Sequence, residues 1–62
     1  MLITEETATK VRVKRAIQRL GKVETAKTLR VTPPTLAKIE KGNYDAPKRI
    51  YESVVNWLIE DL

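Results

Sequence analysis

Two adjacent prolines at positions 33 and 34, preceded by a threonine and followed by a glycine at position 42, restrict this chain more than any other feature. Proline cannot serve in a helix interior or a central strand, but it suits the first turn of a helix, where no amide hydrogen is needed. Thr32 can cap that turn by accepting from a free amide, Leu36 and Ile39 fall on one side of it, and Gly42 can end it at positive φ. The segment therefore predicts a short helix over residues 33–41.

Upstream, Val23, Ala26, Leu29 and Val31 recur at helical spacing and form an apolar stripe that leaves Lys22, Glu24, Thr25, Lys27 and Thr28 outward. Ala26 is small enough for a neighbouring backbone to approach. The connection Arg30-Val31-Thr32 has the three-residue length found between the arms of a helix-turn-helix.

On these residues, the stretch from Gly21 to Pro47 resembles the helix-turn-helix of the Cro and CI type phage repressors and their bacterial relatives, and its first half is nearest to the Cro side of that family. Gly21, Thr25-Ala26-Lys27, Leu29 and Val31 match in register, and Leu36, Ile39-Glu40 and Gly42 look like the residues that close the second helix. The resemblance implies a DNA-binding transcription regulator, a small repressor acting as a homodimer on a two-fold operator. Half-sites would then lie about one helical turn apart, so that two recognition helices enter successive major grooves.

Two positions depart from the family pattern. Arg30 stands where the turn normally carries glycine, and a left-handed backbone there would strain it by roughly 1 kcal/mol. Pro33 and Pro34 stand where relatives often have glutamines, so hydrogen-bond readout from those positions is impossible.

If residues 33–41 lie in the major groove with the N-terminal end toward the bases, the free side consists of Pro33, Pro34, Thr35, Lys38 and Ala37. Lys38 is the one long donor there, suited to guanine O6 and N7; Thr35 can meet a base edge or a phosphate, and the prolines can pack on thymine methyls. Phosphate contacts are expected from Lys22, from Thr32 with its backbone, and from Asn43 and Tyr44 in the following loop. By position, Lys48 resembles a basic residue with which some family members probe the minor groove. Glu40 would repel phosphate, so it is expected to bond to a helix end or a basic neighbour.

Residues 1–20 read as one helix, capped by Thr4, with Glu5 and Glu6 at its positive end and Ile3 stapled against Ala8. Val13, Ala16, Ile17 and Leu20 are expected to face the core, and Val11 to be semi-exposed or to touch another chain. Lys10, Arg12, Lys14, Arg15 and Arg19 are expected on the solvated remainder, and Gly21 ends the helix.

After the loop Asn43 to Ala46, Pro47 at a first helical position starts a last helix reaching about Glu60. Its inner stripe is Ile50, Val54, Trp57 and Leu58. Tyr51, Val55, Ile59 and Leu62 widen that stripe beyond the needs of a small monomer, which makes Val55, Ile59 and Leu62 the candidate dimer interface. The expected fold is all-α: one domain over residues 1–62, four helices and no strand, an abbreviated repressor-type domain without the fifth helix of many relatives.

The chain has 62 residues and neither cysteine nor histidine, so no disulfide and no conventional zinc site can support its small core. Its only serine is Ser53, and its carboxylates are scattered; neither a nucleophile–base pair nor a metal cluster is expected, and no cofactor. Residues 1–49 carry a net charge of +7 and residues 50–62 one of −3, an asymmetry that favours nucleic acid as partner over an acidic protein or membrane surface. No apolar run is long enough to span a bilayer and no leader follows Met1, so the expectation is a cytoplasmic protein of a bacterium or of a phage-infected host. The competing reading is a protein-binding module, antitoxin- or antirepressor-like, in which the apolar C-terminal helix does the work. A basic amphipathic membrane-surface element is weaker, because a core accounts for the apolar stripes.

Overall fold

Helix starts in this chain are set by threonine and proline. In the computed structural model, which describes residues 1–60, α1 spans Glu5–Ile17 behind Thr4, whose Oγ1 accepts from the Thr7 amide at 3.2 Å. Glu5 and Glu6 occupy its first turn, where the helix dipole favours negative charge. α2 spans Lys22–Leu29, α3 Pro33–Lys41 and α4 Lys48–Ile59.

α1 stops short of the expected boundary at residue 20. Arg19 takes a left-handed conformation at φ 56°, which turns the chain, and Gly21 serves as the N-cap of α2 instead of the end of α1. Pro47 likewise sits at the N-cap of α4, one position earlier than expected.

The all-α fold carries one addition that the sequence reading lacked. Leu2–Ile3 (β1) pairs antiparallel with Tyr44–Asp45 (β2), Leu2 opposite Asp45 and Ile3 opposite Tyr44. Two-residue strands are too short for alternation to register in a sequence. The Ala46 amide donates to the Met1 carbonyl at 2.8 Å, and the Met1 amine donates to the Ala46 carbonyl and to Asp45 Oδ1. The start of the chain is thereby tied to the segment that follows α3.

α1 is rotated relative to expectation. Ala8 and Val11 are fully buried, whereas Val13 and Ile17, expected in the core, are 51% and 75% exposed; Ala16 is exposed too, and Leu20 is only partly buried. The inward face runs Ala8, Val11, Arg15, at the i, i+3, i+7 positions of one helical side. One of these three residues is basic, so counting apolar residues alone selects the other face. In this register Arg15 meets Glu40, and the Lys14 amine donates to the Trp57 carbonyl with its Nζ 4.6 Å from the indole centroid. An inward Glu40 without Arg15 would be a costly buried charge.

α2 keeps Ala26 and Leu29 inward as expected and differs at one position of its stripe. Thr25, expected outward, is fully buried with its Oγ1 donating to the Gly21 carbonyl at 2.9 Å, while Val23 is 56% exposed. Satisfying the hydroxyl within its own helix removes the usual penalty for burying threonine.

One apolar cluster joins all four helices: Leu29 of α2, Leu36 and Ile39 of α3, Ile50, Val54 and Trp57 of α4, with Val11 of α1 and Ile3 of β1. Full burial of each such aliphatic side chain is worth about 1.5–3 kcal/mol. Among the described residues no helix is long and apolar enough to cross a membrane.

Candidate functional site

The turn between α2 and α3 is short because Arg30 reverses the chain alone, in the left-handed conformation at φ 59° and ψ 43°. Its amide donates to the Lys27 carbonyl at 3.1 Å and the Val31 amide to that of Ala26 at 2.9 Å, so the last carbonyls of α2 are satisfied. The backbone conformation that would strain a non-glycine residue is the one adopted, at a cost of about 1 kcal/mol.

α3 then opens as its sequence requires. Thr32 Oγ1 accepts from the Thr35 amide at 3.4 Å and lies 3.0 Å from Thr35 Oγ1, and the two prolines fill the first turn. Leu36, Ile39 and Glu40 are buried; Pro33, Pro34, Ala37, Lys38 and Lys41 are exposed, and Thr35 is half-buried. Lys41 was absent from the sequence reading, although it follows Lys38 at i+3 and so shares its side of the helix.

The electrostatics of α3 follow from one ion pair. Arg15 Nε donates to Glu40 Oε2 at 2.6 Å, with the Glu40 side chain 10% exposed and that of Arg15 25% exposed. The only acid on α3 is thus turned away from solvent, and its exposed side carries Lys38 and Lys41 alone as charges. Lys38 Nζ lies 5.9 Å from the Tyr44 ring centroid, within reach of a cation–π attraction.

The end of α3 is clasped to the start of α1. Gly42 has φ 90°, and a Cβ there would stand 2.8 Å from the Glu5 Cα, so no other residue fits without a backbone shift. Asn43, itself left-handed at φ 52°, donates from Nδ2 to Glu5 Oε1 at 3.2 Å. Lys38, Lys41, Gly42, Asn43 and Tyr44 line a groove of about 330 Å³ with Glu5 on its far wall.

Comparison with protein-family models, curated proteins and solved structures gives no match.

The residues singled out from the sequence divide into two sets. Thr32, Pro33, Pro34, Thr35 and Lys38 come together at the start and along the outer side of α3, with Tyr44 beneath Lys38. Lys22 and Lys48 stand elsewhere, each at the first position of its helix, α2 and α4. Gly21 offers α2 no side-chain cap, so the first amides of α2 point outward beside Lys22. Lys48 faces Glu52 at 3.8 Å, one turn along α4, and Asn43 is engaged by Glu5.

Of the expected dimer residues, Val55 is half-buried and Ile59 is 54% exposed. Leu62 lies outside the described residues. Trp57 is 4% exposed and belongs to the core. Among the described residues no three His, Cys, Asp or Glu side chains converge where a metal ion could bind.

Proposed function

We infer that this chain is a sequence-specific DNA-binding transcription regulator of the Cro and CI repressor type, with the N-terminal end and outer side of α3 in the major groove. The reading rests on the outer side of α3, which exposes Lys38 and Lys41 with no acid on the helix to oppose them, because Glu40 is held inward by Arg15. Phosphate is attracted to such a surface, and a lysine is a good donor to guanine O6 and N7. Pro33 and Pro34 supply an apolar edge for thymine methyls. Thr35 shares its hydroxyl with Thr32, so its base contact is secondary to capping.

Lys22, beside the outward amides of α2, is assigned to phosphate, with Thr32, Asn43 and Tyr44; Lys48 contributes charge near the start of α4. Recognition of a two-fold operator by a homodimer completes the reading.

Selection of bound sites from a random DNA pool, with the affinity for random duplex measured against salt, is the direct test. The expected result is a palindromic consensus and a log–log salt slope close to −0.9 per phosphate neutralised. If random duplex is not bound at low salt, the reading fails. The apolar surface between α1 and α4 would then favour a protein-binding module.

A further inference from the structure

We propose that Tyr44 is a positioning residue: its ring holds the Lys38 ammonium ready to read a base, while Lys41, on the same side of α3, is left loose for phosphate. The inference deepens the DNA reading and rests on it.

A lysine on an exposed helix face samples many rotamers and gives up that freedom when it binds. Lys38 is restrained in advance by one neighbour. Its Nζ lies 5.9 Å from the centroid of the Tyr44 ring, inside the range of about 6 Å over which a ring face attracts a cation. No carboxylate competes for it. Lys38 makes no ion pair among the described residues, because Glu40 is bonded to Arg15 and Glu5, across the groove, accepts from Asn43. Lys41 is exposed in the same groove, and among the described residues neither a ring nor a carboxylate holds it.

The ring is a fixed platform for reasons local to the chain. Gly42 at φ 90° and Asn43 at φ 52° turn the backbone sharply after α3, so the chain comes back beneath the helix at Tyr44. There Tyr44 pairs with Ile3, whose side chain is fully buried, and packs half-buried against the core. A tyrosine has only two side-chain torsions to fix, so the ladder and the core contact together set the ring in place.

This geometry suits donation to a base. An ammonium has three N–H donors, and a ring face attracts the cation as a whole, so donors remain for guanine O6 and N7. Part of the ordering is complete before DNA arrives, which strengthens the contact that the ordered group makes. A loose Lys41 can follow the sugar-phosphate backbone whatever the bases, as a positioning contact requires. The two ends of Tyr44 then act separately: the ring works through Lys38 on one base pair, and the hydroxyl, assigned to phosphate, acts on all sequences alike.

Two measurements test this. In the NMR spectrum of the free wild-type protein, the Lys38 ε-methylene protons should lie upfield of those of Lys41, shifted by the ring, and Tyr44→Leu should remove the difference. In competition titrations of the selected DNA site against single-base variants, Tyr44→Leu should lose about two- to five-fold in discrimination at the base pair that Lys38 reads. In a Lys38→Ala background it should lose nothing further there. Tyr44→Phe keeps the ring and should keep the discrimination, whatever the missing hydroxyl does to overall affinity. Circular dichroism checks that each variant is folded.

Absence of the upfield shift in the wild type would overturn the contact, and that result needs no variant. Full discrimination in Tyr44→Leu, an equal loss in Tyr44→Phe, or the same loss with and without Lys38 would overturn the positioning role and leave the DNA reading standing. If the wild type binds no duplex at low salt, the DNA reading fails and this role fails with it.

Discussion

α3 and α1 are packed against each other and share an ion pair, yet they present opposite surfaces to solvent. α3 keeps Leu36, Ile39 and its one acid inside and exposes prolines, an alanine and two lysines. α1 keeps Val11 and two of its bases turned inward and exposes Val13 and Ile17. The Arg15–Glu40 pair underlies both arrangements, since it takes an acid off the surface of α3 and a base off that of α1. The contrast separates two kinds of contact by their physics: one face offers charge, whose attraction fades with salt, and the other offers apolar area, whose attraction does not.

The largest effects should appear where the two helices depend on a common core. Leu36→Ala removes a side chain that is 1% exposed and should cost about 2–5 kcal/mol, most of the stability a domain of this size can have. Urea titration should show the transition moving to very low denaturant. Ile17→Ala on α1 should change stability by less than about 0.5 kcal/mol, because the side chain is already in water. Comparable losses at the two positions would mean that Ile17 is packed and that the apolar face of α1 is not free.

Glu40→Ala comes next. It strips the partner from a three-quarters-buried guanidinium at a cost of about 1–3 kcal/mol, with some relief because Arg15 can still reach water. Adding Arg15→Ala should recover part of that loss, which a double-mutant cycle measures directly. At temperatures where the variant remains folded, Glu40→Ala should bind random DNA no more weakly than the wild type, since the lost charge is negative and inward. A weaker complex would assign Glu40 a contact on the DNA side and erase the difference between the two faces of α3.

How much of this was readable in advance depends on where the determining chemistry lies. α3 was legible because its ends are fixed by local residues: a threonine cap, prolines that fit only a first turn, and a glycine at positive φ. That Glu40 bonds to a helix end or a basic neighbour instead of facing phosphate was legible from charge alone, although not that its partner is Arg15 or that it is buried. α1 was misread because its buried side includes Arg15 and Lys14, whose partners Glu40 and Trp57 are 25 and 43 residues away. An apolar count cannot register such partners, and it chose Val13 and Ile17. The same blindness hid the β1–β2 pair and the Asn43–Glu5 bond, both of which close loops of about forty residues. Thr25 was placed outward because threonine is polar, although its hydroxyl is satisfied within its own turn.

Lys38 on α3 and Lys22 at the start of α2 should behave differently. Lys38→Ala should lose roughly 1–3 kcal/mol of discrimination at one base pair of the selected site, whereas Lys22→Ala should weaken all sequences alike and lower the salt slope by about one contact. Competition titrations with single-base operator variants distinguish them. If Lys38→Ala weakens every sequence equally, Lys38 contacts phosphate and specificity comes from the prolines or from DNA shape.

The smallest effect compares the two turns. Arg19 and Arg30 each hold a left-handed residue between helices, at φ 56° and 59°. Glycine at either position should relieve the strain and raise stability by about 0.5–1 kcal/mol, less the greater entropy that glycine loses on folding. Thermal denaturation of Arg19→Gly and Arg30→Gly should therefore give similar small gains. Their DNA affinities separate the turns: Arg30 lies in the short turn between α2 and α3, so Arg30→Gly should weaken random-duplex binding more than Arg19→Gly does. Such an outcome would explain a strained arginine between α2 and α3 by its charge. Equal affinities would leave the strain at Arg30 without a compensating role on the charged face.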